Sequence, residues 1–276
     1  VTCAAPPRGI TDVQYPWTDA INNNPCAKKA LLRSGPAIPT VAEGAQAWYR
    51  LDDAGGVVAS DALGANNASY IGSPTPISPG AQGGSAVLLD GVAQYIETAA
   101  GFPFVGDVFT LMVWARLSPS PPGRACGLLS RGGAYLVRIN PASANFFLTL
   151  YALGTVVTAT GLAVDALWHH YAVAKNGATT TKLYVDGADV GGAVTNFTCP
   201  NGAGTVRIGA THNGPVANEA FPGSLDEPVI LNTYLSPARI AEFAKGRDVS
   251  ADSLCQFHYQ QKYGQLAMQQ PIVVEP

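Results

Sequence analysis

The stretch "LWHHYAVAKNGATTTKLYVDG", Leu167 to Gly187, decides the fold. Side chains alternate along a strand. Leu167, His169, Tyr171 and Val173 therefore point one way, and Trp168, His170, Ala172 and Ala174 the other. Asn176-Gly177 closes a turn into "TTTKLYV". Asp186-Gly187 suits a tight two-residue hairpin, whose central residues both need positive φ. The stretch is predicted to be a β-meander. Its adjacent histidines fall on opposite faces and are not expected to hold one metal ion. A chelating pair would sit two apart on a strand or four apart on a helix. Packing, and a hydrogen-bonded imidazole at the core edge, are the expected roles.

The same texture extends outward. From Ala47 the chain runs in short apolar segments broken by Gly, Asn, Asp, Ser and Pro, such as "SAVLL" (85–89), "QYIET" (94–98), "AYLVRI" (134–139) and "GTVRIGA" (204–210). In "FTLMVWARL" (109–117), Phe109, Leu111, Val113, Ala115 and Leu117 share one face; Thr110, Met112, Trp114 and Arg116 share the other. Both faces carry large apolar groups, so this strand is expected to be covered on both sides. About a dozen such strands at close spacing predict an all-β fold, an antiparallel β-sandwich. One helix is expected, "LSPARIAEFAKG" (235–246). Ser236 is its N-cap, Pro237 its first position, Ile240 and Phe243 share a face, and Gly246 is its stop.

The 276 residues are 47% apolar and only 13% charged, with 30 Gly and 21 Pro. A formal charge of -3 and the lack of any Lys/Arg cluster give no nucleic-acid face. No apolar run reaches the roughly 18 residues of a membrane helix, so no membrane insertion is expected. The opening "VTCAAPPRGITD" does not read as a signal peptide, and it lacks an initiating Met. The chain is expected to be processed, or to be the ordered part of a longer protein.

Residues 1–46 read as an extended N-terminal arm, 47–246 as the sandwich, and 247–276 as an extended C-terminal tail. The arm has too little periodic apolar content to bury a core. Its Tyr15 and Trp17, with Phe257, Tyr259 and Tyr263 of the tail, are candidate anchors on a neighbouring subunit, since aromatics are favoured at interface cores. An oligomer or a larger assembly is therefore expected. Cys3, Cys26, Cys126, Cys199 and Cys255 form no C-x-x-C pair and have no zinc-spaced His. Cys3 and Cys26 bracket a short polar segment and are the candidate local disulfide; five reduced thiols are the alternative.

The meander closely resembles the "W-x-H-x-A…LYVDG" signature of laminin-G-like (concanavalin A-like) jelly-roll domains. "AWYRLDDAGG", "AVLLDGVAQYIE", "FTLMVWARL" and "FPGSLDEPVILNTYLSPARIAEFAKG" resemble further segments of that family, in the same order. The resemblance covers about Ala47 to Gly246. It implies a jelly roll with one short C-terminal helix, and it leaves function open.

Glycosidases of this fold place three acids at alternate positions on one strand, a run this sequence lacks. Asp226-Glu227 and Asp52-Asp53 are adjacent pairs and would face opposite ways. No G-x-S-x-G, P-loop or nucleophilic cysteine context is present. No enzyme activity is expected. Some relatives hold calcium, and Asp90 and Asp226 match family positions near strand ends, so they are the candidate ligands of a structural calcium. The other reading is that Asp90 forms a turn with Gly91 and Asp226 accepts backbone hydrogen bonds. No other cofactor is expected. For sugar contact the candidates are Tyr95, His212, Asn213, Asn218 and Phe221, each also readable as packing or turn.

The lead-in "LLRSGPAIPTVAEGAQAWYRLDDAGG" resembles what precedes such domains in tail and virion proteins of actinobacterial phages. A non-enzymatic virion protein, of the minor tail or capsid-decorating kind, is therefore expected. It would display a lectin-like sandwich toward host-surface glycans and contact other virion proteins. The alternatives are a secreted, extracellular carbohydrate-binding module and, further off, a glycoside hydrolase.

Overall fold

The computed structural model describes residues 38–99, 107–150, 154–191, 198–200, 204–212 and 219–245. Cys3, Cys26, Cys255, the anchors Tyr15, Trp17, Phe257, Tyr259 and Tyr263, and the sugar candidates Asn213 and Asn218 lie outside the described residues.

Sixteen strands, among the described residues, form two antiparallel sheets. The first sheet contains β1 (Ala45–Trp48), β4 (Thr75–Ile77), β5 (Ala86–Asp90), β7 (Val108–Leu117), β12 (His169–Asn176), β13 (Thr180–Val185), β14 (Ala188–Gly191) and β16 (Pro222–Leu231). Its order is β14-β13-β12-β7-β16-β5-β4, with β1 also pairing to β16. The second sheet contains β2 (Val58–Ala59), β3 (Ala68–Ile71), β6 (Tyr95–Thr98), β8 (Cys126–Arg131), β9 (Tyr135–Asn140), β10 (Asn145–Leu150), β11 (Gly154–Ala159) and β15 (Val206–Ile208). Its order is β11-β10-β9-β8-β15-β6-β3-β2. The predicted sandwich is thus observed.

The meander is present as read. β12 pairs with β13 and β13 with β14. Asp186 (φ 52°) and Gly187 (φ 79°) supply the two positive φ angles of the hairpin. A Cβ at Gly187 would lie 2.9 Å from Cα of Ala241, so a bare backbone is needed at this tip.

Two apolar clusters follow from strand alternation. Phe109, Leu111, Val113, Ala115 and Leu117 of β7 enter the core between the sheets, with Tyr171 and Val173 of β12 and Leu225 and Ile230 of β16. On the outer side of the first sheet, Met112, Ala172, Ala174, Val229 and Leu231 join Ile240 and Phe243 of the helix α1 (Pro237–Phe243). β7 is therefore covered on both sides, as its sequence predicts. Ser236 caps α1 by accepting from the Arg239 N–H at 3.2 Å, and Pro237 sits at its start. The helix stops at Phe243 rather than running on toward Gly246. Arg239 ties it to Glu43 at 2.7 Å.

Cys126 and Cys199 are free and buried. Burial pushes their thiols up, to about 11 and about 12.

Candidate functional site

The two histidines separate as predicted. His169 lies at the start of β12, with Nδ1 2.7 Å from Asp186 Oδ2 and Nε2 3.0 Å from Asp165 Oδ1. The hydrogen bond to Asp186, then that to Asp165, raises it to about 9. His170 points to the other side and is buried, its ring 5.3 Å from that of Trp114. Desolvation lowers it to about 4, so it is neutral.

His170 belongs to a row crossing the outer face of the first sheet. His170 on β12 pairs with Trp114 on β7, and Trp114 pairs with Asp226 on β16. Directly paired residues share a face, so all three look outward. Past Asp226 the strand changes register: a bulge separates Asp226 from Val229, and Glu227 takes a left-handed φ of 50°. Leu225 and Ile230 point to the core, whereas Val229 and Leu231 point outward. In an unbroken strand Val229 would face the core with Leu225. The bulge spends the extra residue and turns Glu227 outward as well.

Asp226 and Glu227 were expected to face opposite ways; the bulge brings them to the same side. Pro228 is the signal for it. Proline cannot donate to a sheet ladder, and inside a sheet it is confined to edges, strand starts and bulges.

Around this bulge lies a cavity of about 160 Å³, lined by Ile38, Pro39, Trp48, Arg50, Gln82, Trp114, His170, Glu227, Val229 and Phe243. Trp48 is placed by β1, where its backbone N–H donates to Asp61 Oδ1 at 2.9 Å. Its indole Nε1 donates to Glu227 Oε2. Arg50 stands at 5.9 Å from the Trp48 ring centre, 2.9 Å from Asp52 and 3.8 Å from Glu227.

The loop around Gly80 folds over Asp226. A Cβ at Gly80 would come within 2.6 Å of Asp226 Oδ2, so glycine permits the approach. That oxygen accepts from the Gln82 N–H at 3.2 Å. Burial first, and the charge of Glu227 second, push the Asp226 carboxyl up to about 8. Three buried polar atoms here have no hydrogen-bond partner: Gln82 Oε1, His170 Nδ1 and Asp226 Oδ1.

Of the residues expected to touch sugar, the described ones, Tyr95, His212 and Phe221, lie elsewhere. Tyr95 and His212 come together on the outer face of the second sheet. The Arg207 guanidinium lies 5.0 Å from the Tyr95 ring centre and 2.9 Å from Glu97. His212 is held by Ser130 Oγ at 3.0 Å and Thr205 Oγ1 at 3.1 Å, and burial lowers it to about 4. Phe221 is a correction. It is fully buried in the core between the sheets and offers no face to a ligand. Its neighbours in "EAFPG" suggested a loop rim, but its backbone N–H bonds to Gly209 O and draws the ring inward.

The calcium candidates also stay apart. Asp90 pairs with Pro222, four residues before Asp226, so the two are about 13 Å apart along the strand. Asp90 Oδ1 accepts from the N–H groups of Val92, Ala93 and Gln94, which closes a turn. Asp226 is drawn toward its neutral form, a poor ligand for a hard cation. Among the described residues, no group of three or more His, Cys, Asp or Glu side chains is placed to hold a metal ion. Asp52 and Asp53 diverge: Asp52 bonds Ser85 N, and Asp53 bonds Ser60 N and Tyr70 Oη. Among the described residues, no helix is long and apolar enough to cross a membrane.

A laminin-G-type family model, described as the concanavalin A-like lectin/glucanases superfamily, matches residues 90–241. No curated protein matches the sequence at a significant level. Among solved structures, Domain 4 of AbnA, a GH43 extracellular arabinanase from Geobacillus stearothermophilus in complex with arabinotriose, superposes with a TM-score of 0.56 at 17% identity, covering 73% of this chain and 98% of that one. Trypanosoma rangeli sialidase superposes at 0.58 and 16% identity, covering 76% of this chain and 34% of the sialidase. This chain thus spans about a third of that enzyme's length. The binding domain of Paraclostridial Mosquitocidal Protein 1 superposes at 0.59 and 10% identity, covering 74% and 52%. At these identities the likeness is one of fold.

Proposed function

This chain belongs to the concanavalin A-like lectin/glucanases superfamily, and on that footing we propose that it is a non-enzymatic glycan-binding module. The observation that carries the reading is the cavity walled by Trp48 and Trp114, with Arg50, Glu227, Gln82 and His170 around it. Sugar sites need just this mixture: apolar rings for the C–H face and a few fixed polar groups for the hydroxyls. Binding without hydrolysis is supported by the setting of Asp226, which is fully buried beside Glu227. A general acid must reach the bond it protonates, and this carboxyl is shut away from the cavity.

The finer part of the proposal is the setting. The resemblance of the lead-in to phage tail and virion proteins supports display on a virion, facing host-surface glycans. A second reading, a secreted carbohydrate-binding module, draws support from the near-complete coverage of the arabinanase Domain 4. A glycan array probed with the full chain tests the shared part. Binding that Trp48→Ala weakens, with no release of reducing sugar from bound glycans, is the expected outcome. Hydrolysis lost on Asp226→Asn or Glu227→Gln would overturn it.

A further inference from the structure

We infer that the Trp48–Trp114 cavity takes one uncharged pyranose ring, the terminal unit of a glycan, and excludes both acidic sugars and the interior of a chain. The inference rests on the glycan-binding reading above and deepens it to a ligand class.

Size is the first argument. The cavity measures about 160 Å³. An engineered cavity of about 150 Å³ admits a single benzene ring, while pockets for larger ligands run to roughly 300–1,000 Å³. One six-membered ring fits here with its exocyclic groups toward the open side, and a second ring has to stay outside. A site for the middle of a polysaccharide would be a long open groove instead.

Hydrogen bonding is the second. Arg50, Gln82, His170 and Glu227 bring polar side chains into the wall between the two indoles. A hydroxyl both donates and accepts, so it suits a lining that mixes a guanidinium, a carboxylate, an amide and a neutral imidazole. A ligand bearing several hydroxyls on one compact ring suits this wall better than an apolar ligand.

Charge is the third. Among the described residues, Arg50 is the one cationic side chain lining the cavity, and Asp52 at 2.9 Å and Glu227 at 3.8 Å already flank it. Glu227 itself stands on the wall and holds the Trp48 indole. A sugar carboxylate entering here meets an arginine whose charge is already answered and a second acid beside it. Like charges brought together in a partly desolvated site repel, so a neutral ring is favoured.

The test is titration of the full chain, followed by intrinsic tryptophan fluorescence and calorimetry. The ligands are methyl glycosides of neutral hexoses and N-acetylhexosamines, trisaccharides built from them, and glucuronic and N-acetylneuraminic acids. The best neutral monosaccharide and its trisaccharide should bind within about threefold of each other, and the acids at least about tenfold more weakly. Glu227→Gln should narrow the gap between neutral and acidic sugars, an effect that general loss of folding would not produce. A gain of tenfold or more from monosaccharide to trisaccharide would show an extended site, and an acidic sugar binding best would invert the charge argument; either overturns the inference while leaving glycan binding intact. If no sugar of any kind binds, the glycan-binding reading fails and this inference fails with it.

Discussion

The outer faces of the two sheets carry nearly the same set of side chains, and they use it in opposite ways. On the second sheet each group is answered by a neighbour. Arg207 lies over Tyr95 and bonds Glu97; His212 sits between Ser130 and Thr205; Arg138 lies 4.8 Å from the Phe147 ring centre and bonds Glu219. On the first sheet Trp48 and Trp114 stand around open space, and Gln82, His170 and Asp226 keep unpaired buried atoms. Residue type does not account for the difference. β6 and β15 pair in unbroken register, so opposite partners meet. β16 is broken by a bulge, and a helix and a loop are laid over it, which holds the partners apart. The face proposed to bind is thus distinguished by what the backbone prevents from closing.

The contrast is broken or sharpened by four measurements. The largest effect is expected at Asp226. Its carboxyl is raised to about 8 from an ordinary 3.8. Between those values the native protein holds a proton that the unfolded chain has released. The contribution of Asp226 to stability is therefore greatest below about pH 4 and falls as the pH rises toward 8, by up to about 1.4 kcal/mol per unit. Asp226→Asn removes that fall. Urea unfolding from pH 4 to 8 should show the variant gaining on the parent by on the order of a few kcal/mol. Parallel profiles would mean that Asp226 is not held neutral.

Next comes Trp48→Ala, which should weaken glycan binding by about tenfold or more, since it removes one aromatic wall. Unchanged affinity in a glycan titration would move the site off the first sheet.

His169→Asn is expected to cost less. Hydrogen bonds to Asp186 and then Asp165 raise His169 to about 9. The stabilisation is full below its ordinary 6.5 and is lost as the pH climbs through about 9. Both partners are more than a third exposed, so solvent screening limits the effect to about 0.5–1 kcal/mol. Thermal unfolding at pH 6 and pH 10 checks it: the variant should melt lower at pH 6 and match the parent at pH 10.

The smallest effect belongs to Tyr95→Ala. Its ring is already covered by Arg207, so affinity for any glycan should stay within about twofold. A large loss in the same titration would make the second sheet the binding face and reverse the comparison.

The fold was legible because alternation is a local rule. "FTLMVWARL" displays its two buried faces, and "LYVDG" displays its hairpin, without reference to any other segment. The site was less legible, for two physical reasons. Asp226 and Glu227 read as opposed because alternation was taken to run through Pro228, where the missing N–H breaks it. Phe221 read as a rim aromatic because a backbone bond to Gly209, set by the tertiary fold, decides where its ring goes. Trp48 and Trp114 are 66 residues apart; nothing local says that β16 will stand between their strands.

The pairing of β1 with β16 sets how the sandwich bears a load. Ala45, which begins β1, lies opposite Leu231, which ends β16, and Trp48 lies opposite Val229. The chain enters and leaves this pair at the same end. Tension applied through the segments before Ala45 and after Leu231 first lifts α1, then meets the inter-strand hydrogen bonds one at a time, like a zip. Strands pulled from opposite ends would instead resist with all their bonds together. A sandwich held by its two flanking segments is mechanically soft along that line: the peel begins at Ala45 and reaches Trp48, on the cavity wall, only after Ala47 has left the core.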